Sequence, residues 1–233
     1  MDKMKQALLD GAKELDIPLP EGAADTLCAF AECMLRQNEV MNLTAITEPE
    51  KVARLHLLDS LTVTKALEPG EKTLIDVGCG AGFPGVPLAV ACKGLKVTLL
   101  DSLGKRVKWL EETLPQLGIP AECVNARAED YAMEHRERYD YASSRAVARL
   151  NILLELTAPF VKVGGAVLAL KGAAAEEELK ESANAIRKLG LKLEKVLEFP
   201  IEDTHHRLVI LRKVAPTPKQ YPRRYAKIKQ SPL

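Results

Sequence analysis

Leu74-Ile75-Asp76-Val77-Gly78-Cys79-Gly80-Ala81-Gly82-Phe83-Pro84-Gly85 is an apolar run that ends in an aspartate and a glycine-dense turn. Apolar residues resume at Val86, so the stretch predicts a strand, a tight turn and the start of a helix. Glycine permits positive φ and close approach of a ligand to the backbone, and a helix N-terminus offers free amides. Such turns hold nucleotide-like cofactors in doubly wound sheets, but this pattern alone leaves the cofactor open.

Strand and helix patterns alternate from this stretch towards the C-terminus. We predict five parallel strands over residues 73–77, 95–101, 121–124, 139–143 and 166–170, with a turn at Gly164-Gly165 before the fifth strand and one helix over residues 174–189 after it. Two more strands over 191–199 and 208–214 have a short joint and should therefore pair antiparallel. The result is an α/β sheet with right-handed crossovers. It resembles the Rossmann-like fold of class I S-adenosylmethionine-dependent methyltransferases, because the chain has no room for the second domain of a nicotinamide-dependent dehydrogenase.

The rest of the chain divides around this sheet. Residues before Pro69-Gly70 show helical periodicity, with a break at residues 17–20 and a helix start signal at Pro49. We therefore expect a helical extension over residues 1–70, a methyltransferase domain over 71–215 and a basic C-terminal tail over 216–233.

Composition excludes several function classes. The chain has 233 residues and is 47% apolar, which suits a packed core, while 4% aromatic residues disfavour an aromatic base-stacking platform. The five cysteines show no C-x-x-C spacing and indicate reduced thiols, neither a zinc site nor a disulfide framework. We found neither a signal-peptide h-region nor an apolar run of membrane-spanning length. We expect a cytoplasmic monomer with no metal and no membrane partner.

Charge is unevenly distributed. Residues 204–233 hold eight basic residues and no acidic one, so the net charge of +1 leaves −7 for residues 1–203. A basic segment on an acidic body favours a polyanionic partner, most plausibly nucleic acid. The alternative is a segment that only improves solubility.

The glycine turn and the next strand end together suggest the cofactor. The fingerprint Gly80-x-Gly82-x-x-Gly85 is weak by itself, but Asp76 ahead of Gly78 makes a D-x-G-x-G-x-G pattern typical of methyltransferases. The turn that contains Gly78 and Gly80 should lie under the methionine end of the cofactor, and Asp76 and Ser102 are further candidates for cofactor binding.

Acidic residues follow the next two strands. Asp101 ends the second strand, where a carboxylate can accept both ribose hydroxyls. The alternative is a helix N-cap, a role that Ser102 could also take. The acidic loop at residues 125–130 follows the third strand, where such folds bind the adenine amino group. A solvated loop is an equally good interpretation of those residues.

Motifs along nearly the whole chain form one combined pattern. They are residues 42–46, 56–61, 76–85, 99–106, Ala128-Glu129, Ser144-Arg145-Ala146 and Lys171-Gly172. The pattern resembles the RsmG family, also called glucose-inhibited division protein B. The resemblance implies a methyltransferase that uses S-adenosylmethionine and modifies N7 of one guanosine in bacterial 16S ribosomal RNA, free or in the small subunit.

The resemblance also implies site residues. Cofactor contacts fall on Gly78, Phe83, Ala128, Glu129 and Arg145. The basic C-terminus of the family corresponds here to residues 221–229, so candidate RNA contacts are Arg223, Arg224, Lys227 and Lys229.

Methylation at N7 needs no general base, because the nitrogen has a free lone pair and no proton at neutral pH. Catalysis then rests on alignment, for which Arg145 and Lys171 at strand ends are the candidates. We expect Arg145 beside the cofactor and Lys171 on the guanine or its phosphate, although Lys171 could equally be a surface charge. His56 suits a structural hydrogen bond. The pattern disfavours a two-ligand metal site at His205-His206, because neighbours in a strand face opposite sides.

Two other functions remain open at this point. A small-molecule methyltransferase would have no use for the basic tail. A non-catalytic RNA-binding assembly factor could keep the fold and not bind S-adenosylmethionine.

Overall fold

A computed structural model describes residues 2–202 and 204–233. Its centre is a seven-stranded sheet in the order β3-β2-β1-β4-β5-β7-β6. The strands are β1 Lys72–Val77, β2 Leu95–Asp101, β3 Ala121–Asn125, β4 Tyr139–Arg145, β5 Val161–Lys171, β6 Leu191–Ile201 and β7 Thr204–Lys213. Neighbours among β1 to β5 are parallel, and β7 pairs antiparallel with both β5 and β6. This arrangement confirms the predicted methyltransferase-type sheet and its antiparallel hairpin.

The fifth strand begins earlier than predicted. The sequence placed a turn at Gly164-Gly165, but β5 runs through both glycines. The register against β4 shifts between Tyr139 and Tyr141, which makes room for the extra residues. A Cβ on Gly165 would lie 2.3 Å from the carbonyl oxygen of Asp140. Gly165 therefore serves close strand approach at an irregularity, as glycine often does inside strands, while Gly164 supplies a positive φ of 92°.

Three helical stretches precede the sheet. α1 Asp2–Glu14 and α2 Ala23–Met41 lie where helical periodicity predicted them. The third stretch begins with α3 Pro49–Val52, continues as a π-helical segment Ala53–Leu58, and ends with α4 Asp59–Leu61 and a 3₁₀ segment Thr62–Ala66. π-helical turns inside helices occur frequently at functional sites, and this one supplies residues to the cleft described below.

The other helices connect strands or follow the last one. They are α5 Gly85–Ala91, α6 Gly104–Thr113, α7 Ala128–Tyr131, α8 Leu150–Thr157, α9 Ala175–Glu181, α10 Ala183–Lys188 and α11 Tyr225–Gln230. One long helix was predicted over residues 174–189, but it is divided at Ser182. The hydroxyl of Ser182 donates to the carbonyl of Glu178, a local bond that competes with regular helix geometry.

Apolar side chains pack on both faces of the sheet. Adjacent residues of β1 face opposite sides of the sheet. Leu74 packs in the cluster that contains Leu8 and Phe30 of the N-terminal helices, and Ile75 packs in the cluster on the other face. That second cluster includes Ile228 of α11. The N-terminal extension and the C-terminal segment therefore share cores with the sheet. No helix within residues 2–202 and 204–233 is both long and apolar enough to cross a membrane.

Candidate functional site

A cleft of about 1280 Å³ opens where the strands β1, β2 and β4 end. Open α/β sheets bind ligands at this edge. Eight of the nine predicted cofactor residues line it, together with Lys171. The eight are Gly78, Gly80, Phe83, Asp101, Ser102, Ala128, Glu129 and Arg145.

The glycine turn is fixed to the neighbouring strand. The amide of Gly78 donates to the carbonyl of Leu100 at 2.8 Å, and the amide of Gly80 donates to Oδ2 of Asp101 at 2.9 Å. Both glycines have positive φ, at 72° and 58°. A Cβ on Gly78 would fall 2.5 Å from Cγ2 of Val147, so a side chain has no room there. The turn thus presents bare backbone to the cleft.

Asp76 occupies a different position from the one predicted. Its side chain is 0% exposed and it is not among the residues that line the cleft. Oδ2 accepts from the amide of Gly85 at 2.8 Å, and Oδ1 accepts from Oγ of Ser143 at 3.0 Å. The prediction of a direct cofactor contact is therefore wrong. Asp76 closes the glycine turn against the start of α5 and ties it to β4.

Asp101 lies at the floor of the cleft with both oxygens engaged by backbone amides. Oδ1 accepts from Leu103 at 2.8 Å, and Oδ2 accepts from Gly80. Each carboxylate oxygen has a second lone pair that can still accept from a ligand. The carboxylate thus holds the entrance to α6 and the glycine turn together. Ser102 is exposed beside it.

The acidic segment after β3 is helical. The sequence predicted a loop at residues 125–130, but Ala128–Tyr131 form α7. Its Glu129 accepts a hydrogen bond through Oε1 from the backbone amide of Tyr225, at 3.2 Å. Tyr225 itself lines the cleft. The C-terminal segment therefore reaches the site at a place that the sequence did not indicate.

Arg145 ties the end of β4 to the N-terminal extension. Nη1 donates to the carbonyl of Leu55 and to Oδ2 of Asp59, each at 3.0 Å, and Nη2 donates to Nδ1 of His56 at 3.2 Å. Because Nδ1 of His56 accepts from a guanidinium, Nε2 carries the proton and donates to Oγ1 of Thr44 at 2.8 Å. Burial and the charge of Arg145 lower the pKa of His56 to about 4. The His56 ring is neutral and forms two hydrogen bonds. It is therefore a structural hydrogen-bonding partner, as predicted, and not a base.

The two adjacent histidines of β7 face different partners. His205 pairs with Glu198 of β6, whereas Nδ1 of His206 donates to Oδ1 of Asp59 at 2.8 Å. Burial raises the pKa of Asp59, but its bonds from His206 and Arg145 outweigh this and hold the pKa below its ordinary value. Asp59 is therefore an anion shared by β4 and β7.

Phe83 is enclosed by this network. Its ring stacks on His56 at a centroid distance of 5.0 Å, and Cζ of Arg145 lies 5.1 Å from its centroid. Because Phe83 belongs to the glycine turn, the turn, α3–α4, β4 and β7 meet at one wall of the cleft.

Lys171 is held by the protein. Its Nζ donates to the carbonyl of Ala148 at 2.6 Å and pairs with Glu178 at 2.8 Å, and its side chain is 8% exposed. The placement at the end of β5 was predicted correctly, but a cation with these partners holds the loop after β4 to α9. Lys171 is therefore a poor candidate for binding guanine or phosphate.

Half of the basic residues counted in the C-terminal region have acidic partners within the chain. The guanidinium of Arg223 donates two hydrogen bonds to Glu155, a residue that is 0% exposed. Arg223 therefore holds the chain together and is a poor candidate for an RNA contact. The others with acidic partners are Arg207, Arg212 and Lys213. The exposed ones are Lys219, Arg224, Lys227 and Lys229.

Three residues line the cleft in roles that were not predicted, although each lies in a stretch that the sequence analysis names. Thr44, His206 and Tyr225 come from segments far apart in the chain and reach the site only in the folded protein. Among the described residues, no group of three or more His, Cys, Asp or Glu side chains has the arrangement of a metal site.

Comparison with known proteins adds sequence and fold relatives. The family model described as rRNA small subunit methyltransferase G matches residues 23–207. The chain is 45% identical over 235 residues to Ribosomal RNA small subunit methyltransferase G of Alkaliphilus metalliredigens, with 98% of each chain covered. The protein of that name from Thermoanaerobacter pseudethanolicus is 45% identical over 238 residues, with 100% of this chain and 99% of the relative covered.

Two solved methyltransferase structures have a similar fold at low sequence identity. One is an S-adenosylmethionine-dependent methyltransferase from Aquifex aeolicus, with TM-score 0.53, 18% identity, and 70% of this chain and 93% of that chain covered. Another is geranyl diphosphate C-methyltransferase from Streptomyces coelicolor A3(2), crystallised with S-adenosyl-L-homocysteine, with TM-score 0.57, 15% identity, and 73% and 86% coverage. At these identities the likeness concerns the fold alone.

Proposed function

This chain belongs to the rRNA small subunit methyltransferase G family, and we propose that it transfers the methyl group of S-adenosylmethionine to N7 of one guanosine in 16S ribosomal RNA. The observation that carries the proposal is the cleft, where the glycine turn, Asp101 and Ala128-Glu129 follow three neighbouring strands. Full-length similarity to proteins named for this RNA supports the substrate. Its action in the cytoplasm as a monomer is part of the same proposal.

The cleft suits the cofactor in size and in chemistry. Its volume of about 1280 Å³ exceeds that of an ordinary small-molecule pocket, so a guanine can lie beside the cofactor. Gly78 and Gly80 offer bare backbone, and a Cβ on Gly80 would have no atom nearer than 4.0 Å, which marks open space. Asp101 supplies the carboxylate that ribose hydroxyls require. The remaining contacts that we propose are Phe83, Ser102, Ala128, Glu129 and Arg145.

The reaction needs alignment more than acid–base catalysis. When bound, S-adenosylmethionine supplies an electrophilic methyl group on a sulfonium. The protein contributes a rigid wall of the cleft, in which Arg145 has three hydrogen-bond partners and His56 has two. With a pKa of about 4, His56 is a weak base whose Nδ1 already accepts from Arg145, so it does not take up a proton, and its neutral ring does not repel the cationic sulfonium. Holding the reactants in line can supply a large part of the rate.

Methyl transfer to RNA tests the proposal directly. The purified protein is incubated with isotopically labelled S-adenosylmethionine and with small ribosomal subunits, or their naked 16S RNA, from a strain that lacks the enzyme. Nucleoside mass spectrometry should find the label in 7-methylguanosine at one position. Label in another nucleoside, or only in small metabolites, would reject the proposal. Comparing subunits with naked RNA shows which of them is the substrate.

A further inference from the structure

The C-terminal segment, residues 216–233, is docked on the body of the protein. Tyr221 and Ile228 are 6% and 0% exposed. The guanidinium of Arg136 donates to the carbonyls of Thr217 and Tyr221, at 2.7 and 2.6 Å. The segment therefore has an ordered inner side as well as a basic surface.

One ion pair fixes the segment beside the cleft. Arg223 donates to the buried Glu155 of α8 from its backbone amide, Nε and Nη2, at 2.9, 2.7 and 2.6 Å. A buried carboxylate with three donors holds the backbone as well as the side chain in place. The residues that follow Arg223 are thereby positioned next to α7 and α8.

Tyr225 is the residue delivered to the cleft. Its amide donates to Oε1 of Glu129, and Tyr225 lines the cleft together with Ala126 and Ala128. These three residues also pack against the same buried apolar cluster. This end of the cleft follows β3, one strand beyond Asp101. An aromatic ring beside small apolar side chains is a surface on which a nucleobase can pack.

We propose that Tyr225 forms the wall of the cleft against which the adenine of S-adenosylmethionine packs. The C-terminal segment is then part of the cofactor site, and its acidic anchor Glu129 serves both the segment and the ligand. The inference rests on the proposed function, because it assumes an adenosine cofactor in this cleft.

Binding of S-adenosylhomocysteine and methylthioadenosine by the full-length protein tests the inference in calorimetry. Tyr225→Ala should weaken both ligands about tenfold or more, and by similar factors, because the two ligands share the adenosine half. Tyr225→Phe keeps the ring and should bind nearly as well as the wild type. Lys219→Ala, an exposed change in the same segment, is the matched control and should have no effect.

Wild-type affinity in Tyr225→Ala, or an equal loss in Tyr225→Phe, would overturn the inference. If Tyr225→Ala does not fold, the wild type still decides: its Tyr225 ring signals, assigned in NMR spectra by their absence from Tyr225→Phe, should shift when S-adenosylhomocysteine binds. Unmoved Tyr225 signals in a protein that binds the ligand would refute the role of Tyr225 alone. A wild-type protein that binds neither ligand refutes the proposed function instead.

Discussion

Asp76 is the residue whose position most changes the chemistry expected of it. Burial, its largest influence, raises the pKa of this carboxyl from 3.8 to about 7. The folded protein thus binds the Asp76 proton more tightly than the unfolded chain. This contribution to stability is complete below the unfolded pKa and is lost as pH rises through about 7.

Asp76→Asn should therefore change the pH dependence of folding. The amide oxygen can still accept from Gly85, and an amide does not ionise. We expect the stability of the variant relative to the wild type to rise between about pH 4 and about pH 8, as the wild type loses its proton-linked term. Parallel thermal unfolding at a series of pH values measures this difference, and a constant difference would contradict the assignment.

Cofactor affinity should depend on the charge of the Asp101 side chain as well as on its shape. Its carboxylate holds Gly80 and Leu103 through their amides. Asp101→Asn leaves one oxygen acceptor, so it cannot accept from both backbone amides and both ribose hydroxyls. We expect binding of S-adenosylhomocysteine to weaken roughly tenfold to a hundredfold, the equivalent of about 1.5–3 kcal/mol for hydrogen bonds to a charged group.

The matched control for Asp101 is an exposed carboxylate outside the site. Glu112→Gln removes a surface ion pair with Lys108 and should leave the affinity unchanged. An affinity equal to wild type in Asp101→Asn would remove Asp101 from the cofactor site.

At the scale of elements, the sequence patterns predicted those strands and turns whose conformation depends on neighbouring residues in the chain. The predicted ends of strands β1 to β4 agree with the observed ends to within two residues, because the apolar runs of these strands end in turn residues. The start of β5 was missed because Gly164 and Gly165 lie in an irregularity of the β4–β5 register, and that irregularity depends on the neighbouring strand. The glycine turn and Asp101 were predicted from one strand end each. The roles of Thr44, His206 and Tyr225 could not be predicted in this way, because their hydrogen-bond partners lie on distant elements.

The attachment of α11 depends on Glu155 and Arg223. Arg223→Met should destabilise the protein by about 3–5 kcal/mol, because it leaves Glu155 buried without its cationic partner. The free energy of unfolding in urea measures this loss. Apolar pairs of similar volume often replace buried ion pairs without loss of stability. The double variant Arg223→Met with Glu155→Leu should therefore regain much of the lost free energy of unfolding. Additive losses in the double variant would show that the pair is not coupled.

At the scale of the whole molecule, the basic excess of the C-terminal region is smaller than the sequence suggests. Four of its eight cations are used inside the chain, and four are exposed. Three of the exposed ones, Arg224, Lys227 and Lys229, lie at the start of α11 or within it, and α11 begins at the cleft residue Tyr225. Charges placed so near the cleft are suited to hold an RNA backbone while one base enters it.

Replacing these three residues with Gln should weaken RNA binding and flatten its salt dependence. Removal of one cation that pairs with a phosphate lowers the slope of log affinity against log salt by about 0.7 for single-stranded RNA, so removal of three lowers it by roughly 2. Filter binding of 16S RNA across a range of KCl concentrations measures the slope. S-adenosylhomocysteine affinity should stay at the wild-type value, because Tyr225 and Glu129 are intact.

The control replaces three exposed lysines at the opposite edge of the sheet, Lys93, Lys96 and Lys192. It removes the same charge from the protein, so it separates local binding from the effect of net charge. If both triple variants lower the slope equally, the RNA responds to total charge and the C-terminal segment has no special part in binding. A loss confined to the Arg224, Lys227 and Lys229 variant places the RNA backbone along α11, beside the wall that we assign to the adenine of the cofactor.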